Sequence, residues 1–149
     1  MAWLKDDGSL AGDDLLYRRF RRIPEQYRPR DAISGRHTVT NGALRYVSDG
    51  MSTYSAALMA EHDVELSDVY TPETHGVTRV SVSQTRQAGL GTVVEPDLKD
   101  TNVGRGQSHV LVRSSAAPPD GERWTAARAK LRQHLLLLDE DTGLWEPIA

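Results

Sequence analysis

Cysteine is absent from this sequence, which removes disulfide staples, thiolate metal ligands and a thiol nucleophile together. Long apolar runs are absent too. The run Leu135-Leu136-Leu137-Leu138 falls far short of the roughly 20 residues that a membrane span requires. The first residues, Met1-Ala2-Trp3-Leu4-Lys5-Asp6-Asp7, turn acidic at once and carry neither the basic nor the apolar region of a secretory signal. These absences lead to the expectation of a soluble, cytoplasmic chain with no membrane partner. Missing as well are a Walker loop, a Gly-x-Gly-x-x-Gly after a strand, a Gly-x-Ser-x-Gly elbow, a CxxC pair and any internal repeat.

What is there fits one ordinary domain. A chain of 149 residues can bury roughly 70% of the surface that its unfolded form exposes. Hydrophobic residues make up 38% and charged residues 26%, on the polar side for a globule. With a mean hydropathy of -0.51, this predicts long loops or mobile ends. Residues 1–14 hold two acidic pairs separated by Gly8 and Gly12, and are expected as a flexible or loosely docked entry to a single domain over 15–149.

Local patterns give the elements. Leu16, Phe20 and Ile23 fit helical spacing after Asp13 or Asp14 and before Pro24. Asn41-Gly42 is the strongest short hairpin signal, placing strands near 36–40 and 43–47. A second helix is expected over 54–62 behind Ser52-Thr53. Three runs, 77–83, 92–95 and 108–112, have strand character. A terminal amphipathic helix is expected over about 122–138, with Trp124, Ala127, Leu131, Leu135 and Leu138 on one face and Asp120 and Glu122 suiting its start. The predicted class is α+β: a mixed or antiparallel sheet of about four to five strands with two to three helices.

Charge is unevenly placed. Between Tyr17 and Arg36 stand seven arginines against Glu25 and Asp31. The segment therefore carries +5 and leaves -8 on the rest of a chain whose net charge is -3. Arginine forks grip phosphate or carboxylate, and interleaved aromatics can stack on bases. Arg18, Arg19, Arg21, Arg22, Arg28 and Arg30 are thus the candidate contacts for an acidic protein partner or, second, for nucleic acid or a nucleotide. The plainer reading is a solvated face that pairs with acids such as Asp6, Asp7, Asp13 and Asp14.

The other candidates are chemical. His109 opens a strand just after the polar loop 96–106, where histidine can act as acid or base near neutral pH, with Asp97 and Asp100 placed to orient it. His37, His75 and His109 lack metal-ligand spacing, so no metal or cofactor is expected. Arg36, Tyr46 and Glu61, with Ser48 and Ser52 between them, occur in an order that resembles the Arg, Tyr and Glu of small ADP-ribosyltransferase-like domains. That resemblance implies strand residues gripping NAD and a glutamate completing the site.

The expected function is a small accessory or interaction module, working with a partner protein in a multi-gene bacterial system and docking through the arginine segment. The alternative is an enzyme acting on a nucleotide-like or phosphorylated substrate, with His109 or Glu61 in its site. An enzyme should place His109 in a concave pocket beside Asp97, Asp100 or arginines. A module should pack His109 away and leave the arginines on an open face.

Overall fold

The computed structural model describes residues 3–119 and 121–148; Asp120, expected at the start of the terminal helix, lies outside them, as do Met1 and Ala2 of the expected entry segment. The chain opens with strand β1 (Leu15–Arg21), a two-stranded ribbon of β2 (Tyr27–Arg28) and β3 (Thr38–Val39), and then β4 (Met51–Ser55) running into helix α1 (Ala56–Glu61). There follow β5 (His75–Ser81), α2 (Val82–Gln87), β6 (Gly91–Val94), α3 (Val103–Gln107) and β7 (His109–Arg113). Helix α4 (Gly121–Arg132) and the pair β8 (Leu136–Asp139) and β9 (Leu144–Pro147) complete it. The main sheet runs β6-β7-β4-β1-β5-β8-β9, and every neighbouring pair is antiparallel.

The α+β class stands, but the expected four to five strands and two to three helices are corrected. Among the described residues there are seven strands in the main sheet, two in the ribbon and four α-helices. The segment expected as the first helix is β1, at the centre of the sheet. Its alternation is Leu16, Arg18 and Phe20 against Leu15, Tyr17, Arg19 and Arg21, and an arginine on the core side disguises it. Helix α1 begins later than expected because 51–55 pairs with β7, and Ser55 then caps it by accepting from the Leu58 N–H at 3.2 Å. Asn41-Gly42 forms a 3-10 turn capped by Thr40, not a hairpin, and β3 pairs with β2 instead. The terminal helix stops at Arg132 rather than near Leu138. Leu136–Asp139 extends to pair with β5, Leu137 lying opposite Thr78.

One face of the sheet carries the main core, where Leu16, Phe20, Met51, Val80, Val110, Val112 and Leu137 meet Trp124, Ala127 and Leu131 of α4. Burying each large aliphatic side chain contributes about 1.5–3 kcal/mol. Gly76 lies opposite Phe20 in the β1–β5 register, and a Cβ there would land on the Phe20 ring. The opposite face is only partly covered: Met59, Val64, Leu66 and Val69 of α1 and the segment after it pack over Tyr17 and Tyr54. Residues 3–7 are tied to β6 and β7. Trp3 donates to the Ser114 carbonyl at 2.9 Å, Asp6 accepts from the Thr92 N–H at 3.1 Å, and Asp7 accepts from the Val94 N–H at 2.8 Å. Among the described residues, no helix is long and apolar enough to cross a membrane.

Candidate functional site

Strands β1 and β4 pair over only two positions, Leu16 with Ser55 and Tyr17 with Tyr54. Beyond these, β1 continues along β5 as far as Arg21 opposite His75, and β4 continues along β7. The two strands diverge, and Arg18 fills the gap. Its Nε donates to the Ala43 carbonyl and its Nη1 to the Ser52 carbonyl, both at 2.9 Å, where backbone amides would otherwise serve. Burial first, then the neighbouring charges of Arg19 and Arg45, bring its pKa down to about 10, so it stays protonated at neutral pH.

This divergence opens a cleft of about 280 Å³ lined by Arg18, Arg19, Arg21, Gln26, Ser52, Tyr54 and His75, with no carboxylate in its wall. Arg19 donates to the Val69 carbonyl at 3.2 Å. Among the described residues, Arg18, Arg19 and Arg21 form no ion pair. The His75 imidazole is held below the ordinary histidine range by burial and then by Arg19. Burial likewise raises the Tyr54 phenol.

Arg22, Arg28 and Arg30 are engaged by the chain itself. Arg22 pairs with Glu140, and Arg30 pairs with Asp139 at 2.5 Å and reaches Glu146 at 3.9 Å. Arg28 donates to the Pro24 carbonyl. These acids come from the β8–β9 hairpin rather than from the N-terminal pairs. Asp6 holds Arg86 at 3.1 Å, and Asp14 accepts from the Ala57 N–H at 3.0 Å at the start of α1.

His109 lines a second, open cleft of about 560 Å³ on the same face. The Ser52 hydroxyl lies 2.6 Å from its Nε2, and the Glu95 carbonyl lies 2.8 Å from its Nδ1. The ring meets Tyr54 edge-on, with centroids 5.8 Å apart. The walls are the 47–50 turn, where Ser48 has φ 50, and the 95–99 loop. Exposed apolar side chains at the rim are Val47 and Leu98, 49% and 85% accessible. Ser52 lines both clefts.

Of the acids expected beside His109, Asp97 shares its cleft but does not bond to the ring. Asp100 turns away into a bidentate pair with Arg105, both contacts 2.7 Å, and that guanidinium holds its carboxyl below the usual range. Gly106 lets the loop close, since a Cβ there would strike the Asp97 carbonyl. Arg36, Tyr46 and Glu61 are not brought together. Arg36 is exposed before β3, Tyr46 stacks on Trp124 at 4.6 Å, and Glu61 is exposed at the end of α1. His37 bonds to Tyr27 and His75 to Thr74. Among the described residues, no three His, Asp or Glu side chains are grouped to hold a metal ion.

Comparison with known proteins yields no matching family model, no matching curated protein and no matching solved structure. The reading therefore rests on the geometry. Sequence reasoning missed Ser52 and the Glu95 carbonyl as the partners of His109. The position of Ser52 two residues after a glycine, in what proves a strand, is a signal too common to select it.

Proposed function

We propose that this chain binds a nucleotide-like or phosphorylated ligand across the two clefts, its phosphate resting on Arg19 and Arg21 with Arg18 behind them. The observation that carries this reading is the set of three arginines without carboxylate partners around one cleft. Guanidinium forks match phosphate oxygens, and such charge-assisted bonds are about twice as strong as neutral ones. The adjoining cleft offers Asp49 and Asp97, carboxylates that accept from ribose hydroxyls. Val47 and Leu98 at its rim provide apolar surface for a base.

A phosphorylated or acidic segment of a partner protein would present the same chemistry to Arg19 and Arg21. The pairing of Arg22 and Arg30 with the chain's own carboxylates favours the smaller ligand, because it neutralises part of the basic segment and leaves three arginines grouped at one cleft.

Calorimetric titration with inorganic pyrophosphate, ADP and adenosine tests the reading. Pyrophosphate and ADP should bind, and adenosine should bind at least about ten-fold more weakly, since each charged hydrogen bond contributes about 1.5–3 kcal/mol. Equal binding of adenosine and ADP, or no binding of either anion, would overturn it.

A further inference from the structure

Ser52 and His109 sit on adjacent strands of the sheet's outer face, Tyr54 lying opposite His109 and Ser52 opposite Leu111. A carbonyl only accepts hydrogen bonds. The Glu95 carbonyl, 2.8 Å from Nδ1, therefore places the proton of the neutral imidazole on Nδ1. That leaves the Nε2 lone pair facing the Ser52 hydroxyl at 2.6 Å, and the hydroxyl donates to it. A hydroxyl within reach of a base, with that base oriented by a third group, is the arrangement of an activated nucleophile. Ser52 is part-exposed and borders the arginine cleft.

From this geometry we infer that Ser52 is the nucleophile and His109 its general base in the cleavage of a phosphate ester, an inference that rests on the anion-binding reading of the clefts. Ser52 Oγ attacks phosphorus, forming the Oγ–P bond while the bond from phosphorus to the ester oxygen breaks. The hydroxyl proton passes to His109 Nε2 and from there to the leaving oxygen. Water then attacks the phosphoserine and gives its proton to His109, and the Ser52 oxygen leaves and takes that proton back. The net change is phosphate ester plus water to alcohol plus phosphate. Arg19 and Arg21 face the charge carried by the phosphoryl oxygens, with Arg18 behind them.

The test uses an uncharged fluorophosphonate ester on the full chain. Ser52 displaces fluoride, and intact and peptide mass spectrometry locate the adduct. We expect a single adduct on Ser52, formed faster as pH rises, since a general base accepts a proton only in its neutral form. The charged groups facing the His109 ring are Asp49 of the turn, Glu95, Asp97 and Lys99 of the loop, and Arg113, which pairs with Glu95 at 3.2 Å; Tyr54 of β4 also titrates. His109→Asn can keep the bond to the Glu95 carbonyl while losing the base, and His109→Gln can keep a partner for Ser52. Both should label at least about 100-fold more slowly, the usual worth of a general base. A pH-independent rate, labelling elsewhere, no labelling of the wild type, or unchanged labelling of both variants overturns the inference. Because the probe is uncharged, its labelling reads the Ser52–His109 pair, whereas pyrophosphate titration of the unmodified chain reads anion binding. Failure of anion binding and failure of the Ser52–His109 pair are thus read separately.

Discussion

Arg18 does at residue scale what a strand partner does elsewhere. Its guanidinium satisfies the Ala43 and Ser52 carbonyls at the place where β1 and β4 part. Arg18→Met keeps the aliphatic bulk and orphans both carbonyls, so chemical denaturation should show a loss of about 1–3 kcal/mol; an unchanged midpoint would mean that water replaces the guanidinium. His75 reports on the same cleft. Burial and Arg19 depress its folded pKa below the unfolded value. This contribution to stability is therefore full above the ordinary histidine pKa and is lost as pH falls through the folded value. An anion seated between Arg19, Arg21 and His75 reverses the local field and raises that pKa. Pyrophosphate should accordingly bind more tightly as pH falls from about 7 towards about 6, and the His75 ring resonances should titrate higher when it is bound. Identical titration with and without pyrophosphate would place the anion elsewhere.

Elements determine how the site is walled. The 95–102 loop is held over the His109 cleft by the Asp100–Arg105 pair and by the bond from the Arg105 guanidinium to the Asp68 carbonyl at 2.8 Å. Asp100→Asn should cost about 1–3 kcal/mol and speed amide exchange in that loop. Exchange that stays slow would show that Gly106 packing alone suffices. Legibility in the sequence differed in the same way from element to element. Strands β5 and β7 follow from alternation because their charged positions, Arg79 and Arg113, lie on the open face. Strand β1 does not, because Arg18 occupies a core-side position, and only the divergence of β1 from β4, a tertiary fact, gives it partners there. Strand β8 reads as helix because Leu135 to Leu138 has no period. Its conformation is settled by the open edge of β5. His109 was legible as a candidate from its place at a strand start. Its partners were not, since Ser52 stands 57 residues away and Glu95 contributes a backbone carbonyl that any residue carries.

At the scale of the whole molecule, five of the segment's seven arginines fall into two populations. One, Arg22 and Arg30, ties the β2–β3 side of the molecule to the acidic β8–β9 hairpin. The other, Arg18, Arg19 and Arg21, is left without carboxylates around a cleft that meets the Ser52–His109 pair. The division explains how a +5 segment on a -8 body can produce one compact cationic site. It also supplies its own control. Arg19→Glu with Arg21→Glu and Arg22→Glu with Arg30→Glu change net charge equally, so a diffuse field would respond alike to both. The most direct measurement is the pyrophosphate dissociation constant of these two double variants at one ionic strength. The account predicts a loss of at least about 100-fold for the Arg19 and Arg21 pair, two charged contacts at about 1.5 kcal/mol or more each. For the Arg22 and Arg30 pair it predicts lower stability with affinity held within about three-fold, the scale of a screened surface charge. Equal losses in the two, or a larger loss in the second, would contradict it.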